Sequence, residues 1–275
     1  MNQATVTLLG AAAGLTIFLG LPVARLRTLD PRLQGFLNAI ATGVLVFLLI
    51  DIISHAAQPV RQSLDEVHHG APGTFAGLAL TFIAGLCAGL VGLTLITRRI
   101  GHIIGKRELR GPGAAAAAHL ASAPSARALG LMIATGLGLH NLSEGLAIGQ
   151  SAATGALAFT GVLVIGFGLH NITEGFGVAA PMAAADDRPS WRFLTVTGLI
   201  GGGPTLLGTV IGYHVVSPAA SVLFLALAAG ALIYVIEEMF AVSRRLARRV
   251  ALSSGVLLGF LAGFLTDLLL TYSGG

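Results

Sequence analysis

Charged residues are scarce in this chain. Only 10% of its 275 residues are Asp, Glu, Lys or Arg, where a soluble domain carries about 25%. That deficit excludes an ordinary soluble globule. Cysteine is all but missing: Cys87 stands alone in an apolar stretch, so no intrachain disulfide is available. There is no His-Glu-x-x-His sequence and no evident nucleophile, which argues against a membrane metallo-hydrolase and for a protein that is not an enzyme. The pI is near 10.0, yet the basic residues sit in short connections between apolar stretches. There they act as topology signals, and no nucleic-acid partner is expected.

What the chain has in abundance is apolar length. Hydrophobic residues make up 55% of it, and the mean hydropathy is +0.85. A helix needs roughly 20 apolar residues to cross the hydrocarbon core of a lipid bilayer. Seven stretches stand out, and the one carrying the polar motifs divides in two. Eight spans are therefore predicted, at 4–24, 37–57, 75–97, 126–150, 156–182, 193–216, 219–242 and 251–272. The first has no basic n-region and no clear cleavage site, and is read as a retained span. The expected fold is an all-α integral membrane protein.

Fifteen of the sixteen Lys and Arg residues fall in the first, third, fifth and seventh connections or, for Arg127, in the first turn after the third; only Arg61 lies on the other side. By the positive-inside rule the odd connections are cytoplasmic and both termini face outward. The third connection, 98–125, contains Gly111-Pro112-Gly113, an alanine run and Ser122 to Ser125, and reads as a flexible cytoplasmic linker. Its His102 and His119 read as solvated loop histidines.

The segment 136–145, GLGLHNLSEG, recurs at 166–175 as GFGLHNITEG. An offset of thirty is one span plus a short turn, so the two helices should run antiparallel with their motifs at similar depth. A fainter pairing matches 43–51 (GVLVFLLID) with 230–238 (GALIYVIEE), and 82–85 (FIAG) with 260–263 (FLAG). It relates spans one to three to spans six to eight with inverted topology, a transporter signature. The predicted organisation is a first three-helix repeat (1–97), the linker (98–125), a central metal-binding pair (126–182) and a second three-helix repeat (193–272).

Glu144 and Glu174 lie deep in apolar helices, where a charge costs at least about 2.5–3.5 kcal/mol. Each has a histidine four residues earlier, His140 and His170. That spacing puts both side chains on one face, a turn apart. Two such helices packed together converge two imidazoles and two carboxylates. The donor set suits zinc, iron, manganese, cobalt or cadmium. No lysine or arginine lies at their depth, so a bound dication or protons must neutralise the glutamates. Asn141 and Asn171 are either supplementary ligands or interhelical glue. Ser143 and Thr173 either bond back to helix carbonyls or simply pack. Asp51 and His55 at the end of span two, and Glu237 and Glu238 at the end of span seven, are candidates for a transport path. Asp267 reads as structural.

At these residues the chain resembles the ZIP (Zrt-, Irt-like) family of metal transporters, bacterial type. The resemblance rests on the paired HN-x-x-EG motifs in spans four and five, the eight spans and the long third connection. It implies a 3+2+3 bundle, often a homodimer, in the bacterial inner membrane. By implication, divalent metal (zinc foremost) moves towards the cytoplasm, with an elevator-like motion of the central bundle. Two departures stand out. Ser143 and Thr173 replace the proline frequent before the motif glutamate. Gly203 precedes Pro204 in span six, where family members with two metals carry a glutamate. Two glutamates neutralise one dication and not two, so a mononuclear site is expected. A non-transporting membrane metal sensor or partner subunit is the alternative.

Overall fold

A computed structural model describes residues 1–26, 30–67, 72–96, 98–99, 125–185, 188–246 and 248–274. The linker reading, with His102 and His119, lies outside the described residues, as do Arg27, Lys106, Arg107 and Arg110. The described chain is helical throughout: α1 (Gln3–Arg25), α2 (Pro31–Val67), α3 (Pro72–Ile96), α4 (Ala126–Ala153), α5 (Leu157–Ala184), α6 (Trp191–His214), α7 (Pro218–Leu246) and α8 (Arg249–Gly274).

Most edges fall within a few residues of the hydropathy reading. The exception is α2, expected at 37–57 and found to run 37 residues from Pro31 to Val67. Its last turns carry the polar but good helix formers Gln58, Arg61 and Gln62, and the helix runs on through Pro59. The helix therefore continues past the apolar stretch that hydropathy detects. Seven of the helices are long and apolar enough to cross a membrane. The eighth, α4, carries His140, Asn141, Ser143, Glu144 and Gln150 along its length. Local signals set the ends: Asn2, Ser125 and Ser190 each cap the helix that follows with a side-chain oxygen. Gly155, at φ 82°, lets three residues reverse the chain between α4 and α5.

The helix ends report the topology. Arg25, at the end of α1, donates to the Pro189 carbonyl just before α6, and its guanidinium covers the Trp191 ring at 4.9 Å. At the opposite end Tyr213 on α6 donates to the Met1 carbonyl. Along the shared face Gly10 lies against Thr209, Gly14 against Gly202 and Gly198 against Phe18. Helices α1 and α6 therefore run antiparallel.

The chain order folds into two interleaved four-helix groups. Helices α1, α4, α5 and α6 pack on one another, and α2, α3, α7 and α8 form the second group. The groups meet where α7 crosses α4 and where α5 crosses α2 and α8.

Small residues make the repeat visible at atomic scale. A Cβ on Gly145 would fall 2.0 Å from the Thr205 oxygen, and one on Gly208 would fall 2.0 Å from the Leu142 oxygen. The same joint recurs between α5 and α1, where Gly175 faces the Ile17 oxygen at 2.3 Å and Gly20 the Ile172 oxygen at 2.2 Å. In the second group Gly43 meets the Val256 oxygen and Gly259 that of Ile40, while Gly230 meets the Leu86 oxygen and Gly89 that of Leu227. Backbones this close gain packing that lipid cannot supply, and only glycine allows it. The matched joints fix the repeat shifts at 30 (α4 to α5), 188 (α1 to α6), 187 (α2 to α7) and 170 (α3 to α8).

The 43–51 and 230–238 match is thus the register the structure uses. The match of 82–85 with 260–263 is not: it pairs Gly85 with Gly263, whereas the register that pairs Gly89 with Gly259 sets Leu93 opposite Gly263. Four apolar residues recur by composition alone in lipid-facing helices, which is why that pairing misled.

Candidate metal centre

The two motifs meet at mid-helix on α4 and α5. The His140 and His170 rings stack with centroids 6.2 Å apart, so the thirty-residue offset does bring the motifs to one depth. His140 Nε2 lies 2.9 Å from Glu144 Oε1 and 3.7 Å from Glu174 Oε1. His170 donates from Nε2 to Glu144 Oε1, crossing from one helix to the other. Ligand atoms of His140, His170 and Glu174 all lie within 4.8 Å of one another. A tetrahedral zinc with bonds of about 2.0–2.1 Å sets its ligands roughly 3.3 Å apart. The observed separations bracket that value.

The cluster is dry. His140 is 1% exposed, Glu144 3% and Glu174 1%. Two carboxylates at this depth are costly unless they are neutralised and hydrogen-bonded, and here the histidines face them directly. Glu144 Oε2, Glu174 Oε1 and His140 Nδ1 have no hydrogen-bond partner. Buried acceptors left open in this way are what a cation would satisfy.

The asparagines do two things. Asn141 donates from Nδ2 to the Gly201 carbonyl and to Glu174 Oε2, both at 3.0 Å. Asn171 donates to the Ala13 carbonyl at 3.0 Å. Gly201 and Ala13 are themselves related by the 188-residue shift, so each asparagine ties its helix to the equivalent neighbour. Both Oδ1 atoms are buried without a partner and remain open to a ligand role. Ser143 and Thr173 bond back to the carbonyls of His140 and His170 at 2.6 and 2.7 Å. Both helices run unbroken through the motif without the proline.

A cavity of about 1020 Å³ leads away from the cluster. His140, Glu144 and His170 line its floor, and Thr154 and Ala156 of the α4–α5 turn line its far end. Asp51 and His55 also line it, paired at 3.2 Å. Asp267 joins them there, so a residue read from sequence as structural faces the cavity. The signal was present, since an acid within a span is by default a functional candidate. Glu237 and Glu238 do not line this cavity. Both sit on the last turns of α7, Glu237 exposed and Glu238 half-buried. On their side of the cluster the interior is filled by Met132, Ile133, Leu137, Met182 and Met239, all buried in one apolar core. On α6, Gly203 faces open space, with no atom within 4 Å of where a Cβ would stand.

None of the curated proteins compared with the chain matches it. A buried His/Glu cluster shared by two antiparallel helices, within an all-helical membrane fold, is an arrangement that could hold a metal ion. The family model described as ZIP zinc transporter matches residues 105–271, spanning both motifs and every helix from α4 almost to the end of α8, and the chain belongs to that family of divalent-metal transporters.

Proposed function

We propose that the chain carries one divalent transition-metal ion at a time towards the cytoplasm, zinc foremost, with iron, manganese, cobalt and cadmium as further substrates. His140, Glu144, His170 and Glu174 are the proposed ligands, with the Asn141 and Asn171 oxygens supplementary. The observation that carries the reading is the cavity joining this cluster to Asp51, His55 and Asp267 at one end of the helices. The opposite side is sealed by apolar core. A site reachable from one side only is one face of an alternating-access cycle.

The basic residues cluster at the sealed end, as Arg25 and Arg192 illustrate, which supports an outward position for the cavity and the termini in a bacterial inner membrane. One ion suffices for charge balance, because the two glutamates cancel one dication. Asn141 supports the same count: its amide already occupies Glu174 Oε2. Glu237 and Glu238 serve the inner end of the path. A homodimer is the proposed assembly, with α3 and α8, the least buried helices, as the faces left for a second copy.

The test is Zn²⁺ flux into proteoliposomes by the wild type and by Glu144→Ala and Glu174→Ala. Uptake that both substitutions abolish is expected. Equal uptake by all three proteins overturns the site. Tight metal binding without uptake by the wild type would favour a membrane metal sensor.

A further inference from the structure

The last turns of α7 and the first turns of α8 enclose a cleft of about 420 Å³, at the end of the helices away from the mouth of the metal cavity. That volume falls within the range of small-molecule sites, about 300–1,000 Å³. Phe240 and Arg244 form its α7 wall, and Leu252, Ser253, Leu257 and Phe260 stand on its α8 wall. The stretch of α7 apolar enough to cross a membrane ends at Arg244, and that of α8 starts at Arg249. The cleft therefore begins at the depth of lipid headgroups and runs into the hydrocarbon. From Arg249 to Phe260, α8 descends about 16 Å at roughly 1.5 Å per residue. Half of a bilayer's hydrocarbon core is about 15 Å, so the apolar wall is as deep as one leaflet.

The chemistry divides along that depth. At the top, Arg244 is exposed, and its guanidinium lies over the Phe240 ring, 5.8 Å from the centroid. The ring holds the cation against the wall of the cleft. Among the described residues no carboxylate pairs with it. Arg245, Arg248 and Arg249 follow in the chain, and no Asp or Glu occurs from Met239 to Thr266. Glu237 and Glu238, the nearest acids on α7, do not line the cleft. Ser253 adds an exposed hydroxyl on the facing wall. Deeper down the lining is apolar, with Leu257 57% exposed.

Membrane orientation requires only a basic connection, which Arg245, Arg248 and Arg249 supply without Arg244. The helix pair does not require the arginine either. The 187- and 170-residue shifts of the repeat carry Arg244 to Ala57 and Ser253 to Ile83, so the equivalent place at the other end has neither charge nor hydroxyl. A second copy of the chain seated here across a two-fold axis would set its own arginines against these. A phosphodiester neutralises them.

We infer that this cleft holds an anionic phospholipid, its phosphodiester on the Arg244 guanidinium and the Ser253 hydroxyl and one acyl chain along Leu257 and Phe260. Arginine presents a planar fork of donors that matches phosphate oxygens, and basic pockets between membrane helices bind anionic headgroups in this way. The leaflet is the cytoplasmic one in the orientation proposed above.

The test uses the full chain purified in detergent, with dioleoyl phosphatidylglycerol or dioleoyl phosphatidylcholine added. Native mass spectrometry reads the lipid retained, and thermal unfolding reads the stabilisation it confers. The wild type should retain phosphatidylglycerol about tenfold over phosphatidylcholine and unfold at a higher temperature with it. Arg244→Gln should lower that preference about fivefold or more, the pull of at least one basic residue at an anionic lipid surface. Ser253→Trp fills the cleft, keeps every charge, and should lower it as far. Arg249→Gln, outside the cleft, should leave it near the parental value. Equal retention of the two lipids by the wild type overturns the site. Equal losses in Arg244→Gln and Arg249→Gln overturn it too, since a basic surface alone then explains the binding. Stabilisation by inorganic phosphate as large as that by phosphatidylglycerol makes this a free-anion site and overturns the lipid assignment. Zn²⁺ uptake is not a readout, so each of these failures leaves the transport function standing.

Discussion

Asn141 donates one amide hydrogen to Glu174 Oε2 at 3.0 Å. A donor at that oxygen orients the carboxylate and keeps it in place for an ion on its other oxygen, which is open. The same donor stands where a second cation would have to bind. Wild-type protein should therefore hold about one Zn²⁺ per chain, given two carboxylates and no further charge at that depth. Elemental analysis of the purified, metal-loaded protein gives the ratio. Two ions per chain would contradict the assignment.

Removing the amide should weaken the site without removing a proposed charge. Asn141→Ala loses the bonds to both Glu174 and the Gly201 carbonyl. Outer-shell partners of metal ligands typically contribute a factor of about 10–100 in affinity. Zn²⁺ titration by calorimetry should show a weakening in that range, smaller than for Glu174→Ala. Unchanged affinity would leave Asn141 as helix glue only.

The cavity mouth should matter for capture and not for the later steps. His55 and Asp51 are paired near the rim, and the His55 side chain is 62% exposed. A double substitution, Asp51→Asn with His55→Ala, removes charge that concentrates cations there. Initial uptake rates across a Zn²⁺ series should show KM raised about two- to fivefold with kcat little changed. A fall in kcat at constant KM would place these residues elsewhere in the cycle.

Two glycines on α6 and its partner make opposite predictions. A side chain at Gly145 would strike the backbone oxygen of Thr205, which cannot swing away. Gly145→Val should cost more than about 1–3 kcal/mol, the usual range for overpacking. Gly203 has nothing within 4 Å of its missing Cβ, so Gly203→Ala should leave stability unchanged. Thermal unfolding in detergent compares the two, and equal melting temperatures would discredit the close-packed joints.

Hydropathy located the apolar stretches because a bilayer punishes polar length severely, and the duplicated motif divided one of them into α4 and α5. It missed the ends of α2 because a helix emerging into water keeps its hydrogen bonds after its apolar residues run out. The motif residues were legible for a related reason. His140, Glu144, His170 and Glu174 are conspicuous in an apolar setting, and duplication doubled the signal. Asp267 was passed over since nothing in its own sequence neighbourhood repeats. Its meaning comes from sharing a cavity with Asp51 and His55, two hundred residues away. The mutual keying of Gly145 with Gly208 was equally invisible, because a glycine in a span reads the same whether it faces lipid, an ion path or another backbone.

Helix α4 has a consequence for how this protein is made. Among the described residues it is the one long helix outside the seven that are apolar enough to cross a membrane. It emerges from the ribosome before the helix that completes its polar face. Glu144 finds His170, and Glu174 finds Asn141, only after the three-residue turn at Gly155 has brought α5 alongside. The motif on α4 is not at home in lipid by itself, whereas α5 is apolar enough to cross with its motif. The expectation is that α4 enters the bilayer together with α5, so that the step which carries α4 into lipid also assembles the His/Glu cluster.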